Sequence, residues 1–191
     1  MARWTGVGRE ASGPARRIQS RVVILGIDPG IANTGYGVVR RGGGRVVALD
    51  GGVIETASTQ AAEQRLAILH ERVGALLDRH APDAVALEAL YFGQNARSAF
   101  AVGQARGVVL LAAGQRGCPC VDYTPQQVKA AVCGTGRAPK DQVTRMVQAL
   151  LALPDPPTPD HAADALAVAI CHANRAPLAA AATRAALAVS A

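Results

Sequence analysis

The first unbroken apolar run, Val22-Val23-Ile24-Leu25-Gly26-Ile27, ends in Asp28 and the turn pair Pro29-Gly30. A short apolar run closed by turn residues describes a buried strand. Thr34 to Arg40 and Arg45 to Glu55 flank Gly42-Gly43-Gly44 and read as two further strands, so the chain opens with antiparallel hairpins. The period then changes. Between about 61 and 80, Leu66, Leu69, Val73, Leu76 and Leu77 share one helical stripe while Glu63, Glu71, Arg72 and Asp78 fall largely off it. Pro82-Asp83 breaks that helix, and Ala84-Val85-Ala86-Leu87 is a strand that again ends in an acid, Glu88. A helix from about Asn95 to Gln115 leads to a fifth strand, Pro119 to Tyr123. Thr124 then caps a short helix to about Val132, with Pro125 at its first position. After the Gly134–Pro139 loop comes a helix over 140–151, then a Pro-rich linker over 154–159. A last helix, capped by Asp160, runs to about His172. This order predicts an α/β fold with a five-stranded mixed sheet flanked by helices.

The length, 191 residues with half of them hydrophobic, suits one domain with a sizeable core. We place it at 22–175, between a flexible basic N-terminal tail (1–21) and a weakly ordered Ala-rich C-terminal tail (176–191). No long apolar run is free of charge or Gly/Pro breaks, which predicts no membrane span. The N-terminus lacks the apolar stretch of a secretory signal. Cys118, Cys120, Cys133 and Cys171 lack paired C-x-x-C spacing and read as reduced thiols, which points to the cytoplasm.

Charge changes the picture next. The formal net charge is +6, which favours an anionic partner, nucleic acid first. Residues 1–21 hold five Arg and one Glu. Residues 93–148 carry seven basic groups against Asp122 and Asp141, and 154–165 carry Asp155, Asp160 and Asp164 with no basic group. Cations for phosphates beside carboxylates for metal would suit a nuclease, although a solvated charged surface gives the same counts.

Asp28 admits two readings: an Asx-turn residue opening the loop, or a carboxylate presented at the sheet's edge. Glu88 repeats the position. If the two strands are neighbours, the acids converge, and two buried anions are costly unless a cation joins them. Asp164 is the only polar residue from Ala162 to Cys171, either favoured by the helix dipole or a third ligand. His161, three residues earlier, shares its face. A mostly oxygen donor set suits Mg²⁺ or Mn²⁺, and two such ions could clamp a scissile phosphate. Lys129 and Lys140 are the only lysines and lie in the basic stretch, where a compact ammonium can follow a phosphate. Tyr91-Phe92 stand just past Glu88, placed either to stack on unpaired bases or to fold back onto the core. In the helix after them, Ala99, Gly103 and Gly107 form a smooth ridge that meets either a second copy or the protein's own sheet.

Four segments then combine: LGIDPGIANTGYG (25–37), LEALYFGQNARSAFAVGQARG (87–107), PQQVKAAVCGTGRAPKDQV (125–143) and DHAADALAVAICH (160–172). In this order they resemble the RuvC family of Holliday-junction resolvases over about residues 22–175. The resemblance implies an RNase H-like fold, a homodimer and paired, metal-dependent cuts in four-way DNA junctions during recombination and repair. It implies a catalytic, metal-binding set at Asp28, Glu88, Asp164 and His161, assisted by Lys129 and Lys140. Tyr91 falls where the family usually carries Phe. A RuvAB-type branch-migration complex is the implied partner. Alternatives are an RNase H-like nuclease of RNA processing and a non-catalytic junction-binding module. Actin-like ATPases and sugar kinases share a G-x-D-x-G hairpin but need a second lobe for which 191 residues leave no room.

Overall fold

The computed structural model describes residues 21–89 and 96–189, with the side chains of 96–98 and 176–189 outside the description. Strands β1 (Val22–Asp28), β2 (Asn33–Gly42) and β3 (Arg45–Glu55) form the antiparallel part of one sheet. Helix α1 (Ala62–His80) carries the chain over to β4 (Ala84–Glu88), which pairs with β1 in parallel. Helix α2 (Ala96–Gly114) leads to β5 (Cys120–Tyr123), parallel to β4. Helices α3 (Pro125–Cys133), α4 (Lys140–Leu151) and α5 (Asp160–Val189) complete the chain. The sheet order is β3-β2-β1-β4-β5, the predicted five-stranded mixed sheet.

Each face of the sheet is covered. Leu25, Ile27, Val38, Val85 and Leu87 point toward α1 and α2, where Leu69, Val73, Leu77, Ala105 and Val109 close one core. Ile24, Val39 and Ala86 point the other way, under α5 and the Val128, Val143 and Val147 faces of α3 and α4. Alternation along β1 therefore serves two buried layers, which explains its unbroken apolar run. Helix α3 starts with a full capping box, Thr124 accepting from the Gln127 amide while the Gln127 side chain accepts from the Thr124 amide.

Helix α5 runs on to Val189, past the expected end near His172, and so crosses the boundary placed at 175. Its far half is Ala-rich, and alanine is the best helix former even without a buried face. Glycines set how deep α5 lies. A side chain at Gly26 would overlap the Ala165 carbonyl oxygen, one at Gly35 the His161 carbonyl, and one at Gly37 the Leu166 side chain. These positions on β1 and β2 form a trough in which the helix backbone rests almost on the sheet.

Helix α2 settles the orientation of the small-residue ridge. Its inner face is Ala105, Val109, Ala112 and Ala113, all fully buried. Gly103 and Gly107 lie on the other side, where an added Cβ would meet nothing within 4 Å among the described residues. The ridge thus points away from the protein's own sheet, with Phe100 and Leu111 exposed on the same helix. Among the described residues no helix is long and apolar enough to cross a membrane.

Candidate active site

Parallel pairing of β1 and β4, with Ile27 opposite Leu87, brings Asp28 and Glu88 to the same edge of the sheet. Both lie one residue beyond that pair, and each is half-buried. The Gly35 contact holds the first turn of α5 against β2, opposite Asp28 in the ladder. This places His161 Nδ1 2.8 Å from Asp28 Oδ2. One turn on, Asp164 faces a cleft that it lines together with Glu88, Lys129 and Lys140, over an apolar floor including Val128 and Ala167. Residues distant in sequence, from five different elements, thus converge.

Lys140 Nζ lies 3.1 Å from Asp160 Oδ2 and 3.3 Å from Asp164 Oδ2. This corrects the expected role of Asp160. It stands in the first turn of α5, and its carboxylate holds a lysine from α4. A second group escaped the sequence reading, namely the hydroxyls that pin the loop after Asp28. Buried Thr34 donates to the Gly30 carbonyl, and Thr56 donates to the Ile31 carbonyl. Arg65 Nε of α1 in turn donates to Thr56 at 2.9 Å. Their side chains are ordinary polar residues in sequence, and only the loop's position gives them a role.

The electrostatics are those of crowded anions. Burial pushes the Glu88 carboxyl up to about 7, helped by Asp28 and Asp164 and opposed by Lys129 and Lys140. Burial likewise raises Asp164, against the pull of Lys140. Burial alone would lower Lys140, but Asp160 and Asp164 outweigh it and its pKa is raised. The donor set is mostly oxygen and anionic, which fits a hard divalent cation. Among the described residues, no three His, Cys, Asp or Glu side chains yet stand close enough to share one ion. His161 is turned onto Asp28, and the Lys140 ammonium sits where Asp164 meets positive charge.

Of the predicted site residues, Glu88, Asp164, Lys129 and Lys140 line the cleft, and Asp28 and His161 form a hydrogen-bonded pair at the same edge of the sheet. Tyr91 and Phe92 lie outside the described residues. The four cysteines are free thiols, Cys171 buried and the others half-buried.

The sheet order and the acids on β1, β4 and the last helix define the class: an RNase H-like protein with an acidic centre. The family model described as crossover junction endodeoxyribonuclease RuvC matches residues 24–172. The chain belongs to that family. The crossover junction endodeoxyribonuclease RuvC of Moorella thermoacetica is 52% identical over 156 residues, covering 82% of this chain and 93% of its own. The Thermomicrobium roseum protein of that name is 54% identical over 149 residues, covering 78% and 91%. Among solved structures, Thermus thermophilus RuvC in complex with Holliday junction substrate superposes with a TM-score of 0.79 at 42% identity, covering 83% of this chain and 96% of that one. The yeast mitochondrial Holliday junction resolvase Ydc2 shares the fold at a TM-score of 0.57 and 16% identity, covering 78% of each chain.

Proposed function

We propose that this protein resolves four-way DNA junctions by metal-dependent hydrolysis of phosphodiester bonds in two opposed strands. The observation that carries the proposal is that Glu88 and Asp164 line one cleft beside Lys129 and Lys140, with Asp28 at the same sheet edge and close enough to raise both carboxyls. In our reading Asp28, Glu88, Asp164 and His161 hold two Mg²⁺ or Mn²⁺ ions. Such ions, when bound, supply an activated water and charge stabilisation for the leaving oxygen.

The protein's own groups do the rest. Glu88, half-protonated near neutrality when no cation is present, must give up its proton to serve as a ligand. Asp28 holds the imidazole of His161 from the sheet side, fixing its ring. Lys140 is on a long stem and half open to solvent, so it can leave Asp164 for a phosphate oxygen. Lys129 lines the same cleft with a second positive charge. Tyr91 and Phe92, just past Glu88 in sequence, stack on bases unpaired at the crossover.

A four-way junction presents two equivalent strands, which a two-fold enzyme matches. The outward ridge of α2, with Gly103 and Gly107 beside exposed Phe100 and Leu111, supports a homodimer. The free thiols support work in a reducing compartment, the cytoplasm, and membership of the family is what supports a RuvAB-type motor as partner. The test is cutting of a synthetic four-way junction with and without Mg²⁺ or Mn²⁺. Asp28→Asn, Glu88→Gln and Asp164→Asn should each abolish cutting while junction binding survives. Cutting retained by Asp28→Asn, or cutting of structured RNA in preference to the junction, would overturn the reading.

A further inference from the structure

Not every cation of the basic stretch over 93–148 is free to meet a phosphate. Arg106, Arg116 and Arg145 each pair with an acid, Asp122, Asp78 and Asp141 in turn. Arg106 is the most enclosed of the three: its side chain is 15% exposed, against 31% for Arg116 and 70% for Arg145. It stands on α2, next to the buried Ala105 and about one turn from the buried Val109. Its Nη2 donates to both carboxylate oxygens of Asp122 on β5, at 2.7 and 2.6 Å. Its Nη1 donates to the main-chain carbonyl of Glu88 at 3.5 Å. One guanidinium thus joins α2, the edge strand β5 and the last residue of β4. A planar fork with donors on separate nitrogens serves two acceptors at once in a fixed geometry, which a rotating ammonium does less rigidly.

The direction of approach matters. Leu87 pairs with Asp122, and Glu88 with Tyr123. Paired residues on neighbouring strands share a face, and successive residues alternate. Leu87 belongs to the core beneath α1 and α2, so Asp122 turns to that side and meets Arg106 there. Glu88 turns to the other side, into the cleft with Val128 and Ala167. Arg106 therefore holds the Glu88 backbone from the face behind its carboxylate. The hold falls where the sheet runs out. The β1–β4 ladder ends with Ile27 opposite Leu87, one residue before Glu88. On the other side β5 ends at Tyr123, whose carbonyl accepts from the Ala89 amide at 2.8 Å. Strand ends open locally more readily than strand centres, and this one carries a carboxylate that Asp28 and Asp164 repel. Lys129 and Lys140 oppose that repulsion from the cleft, whereas Arg106 acts on the main chain.

We propose that Arg106, anchored by Asp122, is a positioning residue that holds the end of β4 so that Glu88 can meet a divalent cation in the cleft. The proposal rests on the reading of Glu88 as a metal ligand. Contacts that aim a ligand without touching the ion are typically worth about ten- to a hundredfold in metal affinity. Arg106 grips the backbone of Glu88 and not its carboxylate, so the lower end, about tenfold, is expected. The same pairing withdraws Arg106 from DNA, because a guanidinium held by both oxygens of a carboxylate has its charge already matched.

The test uses the full-length protein. Arg106→Met keeps an apolar stem and removes the charged head. Without DNA, Mn²⁺ affinity, read from the electron paramagnetic resonance of free Mn²⁺, should fall about tenfold. Amide exchange at Ala89, followed by NMR, should quicken on the order of tenfold. Arg106→Met combined with Asp122→Val replaces the ion pair by apolar contact, which restores stability where a pair is merely structural. The double variant should regain the parent's melting temperature and yet keep the low Mn²⁺ affinity and the fast Ala89 exchange. Its cutting of a four-way junction should fall at limiting Mn²⁺ and recover at saturating Mn²⁺, with KM for the junction unchanged. In chelator, the slope of log junction affinity against log salt should stay at the parent's value. A slope shallower by ~0.9 would make Arg106 a phosphate contact and overturn the proposal. So would either a parental Mn²⁺ affinity or a parental Ala89 exchange rate in the double variant. Failure of the metal-centre reading looks different: the parent itself then binds no Mn²⁺, and the purpose of the hold falls with it.

Discussion

Replacing Glu88 by Gln should make the metal-free protein more stable and at the same time inactive. The carboxyl titrates at about 7 in the folded protein against an ordinary 4.5, because burial and the neighbouring Asp28 and Asp164 disfavour its charge. A raised acid is neutral in both states at low pH and costs nothing there. As pH climbs from 4.5 the unfolded chain ionises first, so stability drains away across the window up to about 7 and does not return above it. At ~1.4 kcal/mol per pH unit the unscreened loss is ~3 kcal/mol. The carboxyl still faces the cleft, so screening by water reduces this to ~2 kcal/mol. Glutamine keeps the shape and removes the charge. At pH 8 with chelator present, Glu88→Gln should therefore melt roughly 4–8 °C above the parent protein, at ~2–4 °C per kcal/mol for a chain of this size. At pH 5 the advantage should shrink to ~0.5 kcal/mol. Saturating Mn²⁺ should raise the parent's melting temperature, close the gap at pH 8, and leave the variant little changed. Calorimetric or fluorescence melts at both pH values give the answer. An equal difference at pH 5 and pH 8, or a parent that melts higher at pH 8 without metal, would refute the crowded-anion account.

Other expectations can be checked together. Gly26→Val should cost ~3 kcal/mol or more in urea unfolding, because its side chain collides with the α5 backbone at Ala165 rather than with a movable side chain. A folded remnant of that variant should have lost cutting, since the helix carrying Asp164 must lift. Gly103→Leu should leave stability within ~0.5 kcal/mol of the parent, as the site is open, but shift sedimentation equilibrium toward monomer. A stable dimer formed by the Gly103→Leu variant would place the interface elsewhere. Tyr91→Ala with Phe92→Ala should abolish the signal of a fluorescent base analogue at the crossover while the melt is unchanged, and a signal equal to the parent's would make the pair packing residues.

The acids and strands were legible because the signal is local. Asp28 and Glu88 each end an apolar run, and Asp164 interrupts one, so a single pass along the chain singles them out. What stayed hidden depends on register or on distant partners. The trough at Gly26, Gly35 and Gly37 exists only once β1 and β2 are paired and α5 is laid across them. Asp160 fits a helix cap by local pattern, yet its partner is Lys140, twenty residues earlier and on another helix. The ridge on α2 could face in or out because both sides of that helix are small or apolar, leaving almost no polar stripe to orient it. The run of α5 to Val189 has no clear apolar–polar periodicity in its sequence to announce it, only alanine's intrinsic preference.

The three acids stand at positions 28, 88 and 164, one on the first strand, one on the fourth and one on the last helix. Glu88 can reach Asp28 only after α1 has crossed over and β4 has docked beside β1, and Asp164 arrives only when α5 settles into its trough. During synthesis the last of these elements leaves the ribosome after all the others. A nascent chain thus carries only scattered, ordinary carboxylates, with no centre that can gather cations beside a phosphate backbone. On the reading proposed above, the interleaved order of the fold requires the whole domain to form before any of its chemistry exists.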